Sequence, residues 1–283
     1  MKKTYCMLGV AGFVAPRHLK AIKETGGELI ASCDPFDSVG ILDSYFPQSE
    51  FFTSESDFRY FCKQNSPDYM VICTPNYLHK SQSQFGMSIG ADIICEKPAA
   101  LYPSDLEHLV NTELITGKQV YTILQLRLKP ELQGLRCELE RINEYQEVAI
   151  DYITPRGKWY SKSWKADEEK SGSLATNIGI HLFDLMLWLF GSVEEIKLSK
   201  KTDTEVIGEL YLTRAHIAFN LSISGVKSKR SIVIGKREIE FSKGFTELHT
   251  SSYKAVLSGN GFGLAEAAPS IVLCDKIRKI QVT

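Results

Sequence analysis

The sequence predicts an α/β protein, with a doubly wound parallel sheet in its first half. A second, α+β domain built on a large mixed or antiparallel sheet follows. Three observations carry this. From residue 5 to residue 124, short strand-like runs alternate regularly with helical stretches, the pattern of a parallel sheet covered on both faces. The first of these runs leads directly into small residues at 9, 12 and 15. Beyond about residue 125, several strand-like runs succeed one another, which predicts antiparallel or mixed pairing.

The elements can be placed in order. Residues 5–8 form a strand. Residues 16–25 form a helix, with Pro16 in its first turn and Gly26-Gly27 as its stop. Strands follow at 28–33 and 50–52, a helix at 55–64, and a strand at 69–73 closed by Thr74-Pro75-Asn76. A helix over 79–89 ends at Gly90. The run Ile93-Ile94-Cys95 is a buried strand that stops at Glu96-Lys97-Pro98. Pro98 cannot donate to a ladder, and it biases Lys97 toward extended backbone. Ser104 caps a helix reaching residue 116, and a sixth strand spans 120–124. The domain boundary is placed there, giving domains 1–122 and 123–283. The second domain has helices at 132–142 and 177–190 and strands at 148–153, 195–199, 206–213, 215–223, 231–234 and 238–241. A helical stretch precedes Gly259-Asn260-Gly261-Phe262-Gly263, and a last helix covers 264–280. That glycine run follows a helix and not a strand, so it reads as a cap and turn rather than a phosphate loop.

Composition narrows the function classes. The 283 residues carry a net charge of −1, so no charge surplus points to nucleic acid or an anionic membrane. No apolar run appears long enough to span a bilayer, and the first residues enter a strand at once rather than forming a signal peptide. The seven cysteines are odd in number and form no CxxC pair. They read as small buried hydrophobes of a reducing compartment, which predicts a cytoplasmic protein with no metal site and no disulfides.

The turn Gly9-Val10-Ala11-Gly12-Phe13-Val14-Ala15 opens the first βα unit. Small residues there let backbone approach a pyrophosphate at a helix N-terminus. Asp34 ends the second strand 34 − 12 = 22 positions after Gly12, where an acid accepts hydrogen bonds from a ribose. It would repel the extra phosphate of NADP, and no Arg or Lys follows within residues 35–43. NAD is therefore the expected cofactor.

Lys97 sits at the carboxyl end of a buried strand, the edge where open α/β sheets bind ligands. Burial and a cationic nicotinamide would both lower its pKa and fit it to accept a proton. Glu96 either orients Lys97 or faces solvent. His181 and Asp184, three positions apart near the start of an apolar helix, share a face. There the helix dipole would disfavour the imidazolium and suit His181 to accept a proton; a satisfied core histidine with Asp184 as its partner fits the same pair. His79 is expected to cap or to contact the cofactor. Arg156, Lys158, Trp159, Trp164 and Lys165 interleave cations with aromatics, which suits a phosphorylated or carboxylated ligand carrying a base to stack on. A solvated loop anchored by its tryptophans fits the same run.

The turn G-x-x-G-x-x-A, Glu96-Lys97-Pro98 and Gly179-Ile180-His181 together resemble the Gfo/Idh/MocA oxidoreductase family across nearly the whole chain. Further segments are similar to the subgroup acting at C3 of UDP-N-acetyl-2-amino-2-deoxyglucuronate. They include residues 15–22, 37–41, 49–53, 75–79, Ile123-Leu124-Gln125-Leu126-Arg127, 175–179 and 244–250. The resemblance implies a Rossmann domain followed by a substrate-binding and oligomerisation domain. It implies NAD held by Gly9, Gly12, Phe13, Val14, Asp34, Asp37, Ser38, Thr74, Pro75, Asn76, His79, Glu96, Lys97 and Gln125. Lys97 and His181 fall on the catalytic pair, and Arg156, Lys165 and Asn177 join them as substrate contacts. Many relatives carry Asp where this chain has Asn177, and residues 225–230 are shorter than in the subgroup. The implied activity is oxidation of the 3-hydroxyl to a ketone in surface-polysaccharide amino-sugar biosynthesis, with 2-oxoglutarate as a hydride acceptor and a dimer or tetramer as the assembly. UDP-N-acetylglucosamine or an unlinked sugar is the alternative substrate. A catalytically inactive NAD-binding sensor is the alternative of another class.

Overall fold

A computed structural model describes residues 2–142, 144–241 and 247–282. Residues 244–246 of the segment 244–250 lie outside them. The chain divides into two compact units, one of Met1–Gln125 with Thr246–Ala267, the other of Leu126–Phe245 with Ala268–Thr283. The second unit is thus not the contiguous stretch 123–283 read from the sequence.

The first unit runs β1 (Thr4–Leu8), α1 (Ala15–Glu24), β2 (Glu28–Cys33), α2 (Ile41–Tyr45), β3 (Glu50–Phe52), α3 (Glu55–Asn65), β4 (Tyr69–Ile72), α4 (His79–Ser88), β5 (Asp92–Cys95), α5 (Pro103–Thr116) and β6 (Val120–Thr122). Its six strands are all parallel, in the order β3-β2-β1-β4-β5-β6. Strand order reverses between β1 and β4, and ligands of such sheets bind at the carboxyl ends beside that switch. Tyr5, Met7, Val71 and Ile94 are buried between the sheet and its helices. Ser104 does not cap α5. It lies inside the first turn, behind Pro103 and the extended Tyr102, which gives no side-chain cap; Pro at the first helical position needs no donor of its own.

The second unit runs α6 (Pro130–Arg141), β7 (Gln146–Ile153), α7 (Glu168–Ser171), α8 (Ile180–Phe190), β8 (Val193–Lys201), β9 (Glu205–Leu212), β10 (Ala215–Ser222), β11 (Lys229–Ile234) and β12 (Arg237–Glu240). The sheet order is β12-β11-β7-β10-β9-β8. Only β7 and β10 pair in parallel; the other neighbours are antiparallel. Alternate residues of β9 and β10 are buried, as one covered face requires. The cover includes α8, whose Phe183 meets Phe219 of β10 edge to face at 5.5 Å. Gly179 lets that helix come close: a Cβ there would stand 2.6 Å from Leu221.

Helices α9 (Leu248–Leu257) and α10 (Leu264–Lys279) complete the chain. α9 packs on the first unit, its Tyr253 ring 6.0 Å from Tyr5. The stretch Glu168–Phe190, which takes in α7 and α8, has the length and mean hydropathy, 1.3, to cross a bilayer, contrary to the sequence expectation. Its apolar window is 78% buried inside the protein, as a core helix must be when it is apolar nearly all round.

Candidate active site

The turn after β1 is built for close approach. Gly9 has φ +85°, and a Cβ on it would meet the backbone of Cys73 and Thr74 at 2.7–2.8 Å. No L side chain fits there without moving β4. Gly12 donates its N–H to the Gly9 carbonyl at 3.1 Å, and α1 starts three residues later with Pro16 in its first turn. Asp34 is buried at the end of β2. Its Oδ2 accepts from the Ala11 N–H and its Oδ1 from the Phe36 N–H, both at 3.0 Å. The carboxylate thereby ties the β1 turn to the β2 end, and each oxygen keeps a further lone pair for a ribose hydroxyl. Phe13 is exposed beneath Arg17, whose guanidinium lies 5.7 Å from the ring centroid. Asp37 and Ser38 are exposed.

Thr74, Pro75 and Asn76 follow β4, and the Thr74 hydroxyl donates to Gln82 Oε1 at 2.6 Å. His79 is 1% exposed, with Nδ1 2.6 Å from the Pro98 carbonyl and Nε2 2.8 Å from the Thr74 carbonyl. Donating to both at once takes an imidazolium. Burial, the larger effect, lowers the pKa and opposes that state, while the two carbonyls push it back up. His79 therefore braces the ends of β4 and β5 against each other. Gln125, just past β6, has a buried Oε1 with no donor among the described residues. An open acceptor there, with the Gly9 turn and Asp34, fits a dinucleotide across these strand ends.

Glu96 faces inward. The Glu96 N–H extends the ladder to the Ile72 carbonyl at 2.9 Å, and its Oε1 lies 3.1 Å from His18 Nε2 and 3.0 Å from His249 Nε2. Burial disfavours the charged carboxylate, but hydrogen bonds from both imidazoles hold Glu96 well below the usual carboxylate range. Lys97 follows, half-buried. The sequence left the direction of Glu96 open, and gave no sign of His249 as its partner.

In the second unit, residues 175–179 form a π turn inside a helical run that begins at residue 173. Wider turns of this kind recur at functional sites. Asn177 lies within it, buried, and donates from Nδ2 to the Tyr160 hydroxyl at 2.8 Å. His181 is half-buried and stands two turns into that run. The dipole argument made for it from sequence therefore lapses, because the effect fades within the first turn. Asp184 has a partner that the sequence did not offer. Both its oxygens are taken by Arg127, through Nε at 3.0 Å and Nη2 at 2.6 Å. Lys165 places Nζ 4.0 Å over the Trp164 ring, while Arg156, Lys158 and Trp159 are exposed on the preceding loop. Lys97 with the cofactor residues thus belongs to the first unit. His181, Asn177, Arg156 and Lys165 belong to the second.

Comparison with known proteins agrees with this layout. The Gfo/Idh/MocA oxidoreductase model for the NAD-binding Rossmann fold matches residues 3–123, and the model for the family's C-terminal alpha/beta domain matches residues 138–215. The WlbA (WbpB) dehydrogenase of Thermus thermophilus, solved with NAD and UDP-GlcNAcA, superposes with a TM-score of 0.96 at 42% identity, over 99% of this chain and 96% of that one. The same protein has been solved with NAD and alpha-ketoglutarate. The WlbA dehydrogenase of Bordetella pertussis, at 22% identity over 98% of this chain and 94% of its own, shares the fold with a TM-score of 0.84. Among curated proteins, a putative UDP-kanosamine synthase oxidoreductase subunit of Amycolatopsis mediterranei is 29% identical over 125 residues, 44% of this chain and 35% of that protein. The chain spans between about a third and a half of the curated relatives that head the comparison.

Proposed function

We propose a function from one premise: the chain belongs to the Gfo/Idh/MocA oxidoreductase family. We read it as an NAD-dependent dehydrogenase that oxidises the 3-hydroxyl of UDP-N-acetyl-2-amino-2-deoxyglucuronate to the 3-keto sugar. The observation that carries this is the 42% identity, over 99% of the chain, to a dehydrogenase solved with NAD and UDP-GlcNAcA. The Gly9 turn, Asp34 and Gln125 support a bound dinucleotide, and Asp34 favours NAD over NADP.

Bound NAD supplies the hydride acceptor. The chain's own residues handle the proton and the substrate. Oxidising the alcohol removes hydride from C3 and a proton from its oxygen, and the carbonyl forms between them. Lys97 Nζ, as a free amine, or a ring nitrogen of His181 takes that proton. Asn177, fixed by Tyr160, orients the sugar. Arg156 and Lys165 offer cations to diphosphate and carboxylate, charges that need paired cations when desolvated. The reading carries with it a cytoplasmic homo-oligomer serving surface-polysaccharide amino-sugar synthesis, since a 3-keto sugar is a substrate for transamination. 2-Oxoglutarate is read as the acceptor that reoxidises NADH.

The test compares turnover on the UDP-linked uronate, UDP-N-acetylglucosamine, free glucose and inositol, each with and without 2-oxoglutarate. Preference for the uronate, stimulated by 2-oxoglutarate, is expected. Preference for UDP-N-acetylglucosamine would reassign the substrate. Activity on free sugars alone would overturn the nucleotide-sugar reading, and NAD binding without any turnover would make the protein a sensor.

A further inference from the structure

Three parts of the first unit meet at the Glu96 carboxylate. His18 comes from α1, His249 from α9, and Glu96 from the end of β5, with side chains 0%, 1% and 10% exposed. His18 Nδ1 lies 2.9 Å from the Tyr253 hydroxyl. With Glu96 ionised, each imidazole donates from Nε2 to Oε1. His18, neutral, then accepts the Tyr253 proton at Nδ1. His249 Nδ1 has no hydrogen-bond partner among the described residues. The second oxygen, Oε2, faces the backbone N–H of Lys97 at 3.3 Å.

A buried charge gathering donors from three segments is a poor way to gain stability, since a well-packed apolar cluster of the same volume does as well or better. What the arrangement does supply is a fixed direction for the residue beside Lys97. We propose that Glu96, held by His18 and His249, is a positioning residue for Lys97: the imidazoles fix the carboxylate, and Oε2 fixes the main chain from which the lysine side chain departs. This rests on the reading that Lys97 handles a proton in catalysis. Displacements near 1 Å at a reacting group cost about 10²-fold in rate, so the effect belongs in kcat and not in cofactor binding.

The test uses the full chain. Glu96→Gln keeps the volume and one acceptor but turns Oε2 into a donor. The expected result is a loss of kcat of at least tenfold, with KM for the sugar and Kd for NAD within threefold. His249→Gln keeps an N–H donor, whereas His249→Phe keeps a ring and loses it. His249→Phe should lose about tenfold in kcat and His249→Gln should regain most of that, a contrast that stands even if Glu96→Gln fails to fold. Equal impairment of the two His249 variants would mean packing alone and would overturn the proposal. So would a folded Glu96→Gln within twofold of wild type. Lys97→Met is run alongside. If it turns over normally, the parent reading fails; if it is dead while Glu96→Gln is active, only the positioning role fails. The three ligand atoms lie within 4.8 Å of one another, close enough to hold a metal ion. A rise in Tm with Zn²⁺ or Mn²⁺ that His249→Phe abolishes would replace the hydrogen-bonded carboxylate with a metal site and overturn the proposal.

Discussion

Arg127→Met should be among the most costly single changes in the second unit. Arg127 and Asp184 form a two-pronged ion pair with side chains 9% and 4% exposed. Removing one partner of such a pair leaves a buried, uncompensated charge and typically costs about 3–5 kcal/mol. The structure adds a pH signature. Burial already raises the Asp184 pKa even with Arg127 opposing it, so without the guanidinium it rises further. Between the unfolded value near 3.9 and the raised folded value, the native state then binds more protons than the unfolded one, and stability falls as pH rises, by up to about 1.4 kcal/mol per pH unit. The deficit of Arg127→Met relative to wild type should therefore be largest at pH 7.5 and shrink clearly by pH 5.5. Arg127→Met/Asp184→Leu should recover most of it at both. Urea unfolding of the three variants and wild type at the two pH values measures this. A deficit below about 1 kcal/mol, or one that does not change with pH, would refute the argument, since a buried orphan carboxylate must show both effects.

Four further outcomes are expected. Lys97→Met and His181→Asn should each lower kcat by about 10²–10⁴ while NAD titration stays near wild type; impairment of only one identifies the proton carrier. Gly9→Ala should lose about 2–4 kcal/mol by urea unfolding, from left-handed strain and displaced β4 backbone, and bind NAD at least tenfold more weakly. Fluorescence titration should show NAD bound at least tenfold more tightly than NADP, and equal affinities would remove Asp34 from its role. Stability should fall on acidification below about pH 6.5, the unfolded histidine value, because burial lowers the pKa of His18 and of His79. The unfolded chain then binds protons that the native state refuses. A Tm constant from pH 7.5 to 5.5 would contradict this.

What the sequence revealed and what it hid divide by distance along the chain. Strands of the first unit were legible where short apolar runs stop at a breaker, as β1 does at Gly9 and β5 just before Pro98, and β3 appears at Glu50–Phe52 as read. Asp34 and the Gly9 turn were legible because the βα unit that joins them is short. Glu96 was not, because its two imidazole partners stand 78 and 153 positions away. The Arg127 partner of Asp184 was hidden for the same reason: helical spacing offered only His181 three residues back, while Arg127 lies 57 positions upstream. The π turn at 175–179 was missed, its last three residues being read as the start of a plain helix, since one extra residue per turn leaves no mark on an apolar pattern with nearly every residue buried.

The return of α9 to the first unit bears on how the protein is made. Tyr253 against Tyr5, His249 on Glu96, and Thr250 donating to Glu24 at 2.7 Å all close the N-terminal sheet with residues translated after the second unit's sheet. A nascent chain that has emerged as far as Gln125 holds all six parallel strands but leaves His18 and Glu96 without the helix that covers them. The cofactor-binding half can finish folding only after the other half has left the ribosome. A nonsense mutation anywhere before α9 would therefore be expected to cost the cell NAD binding as well as the distal domain.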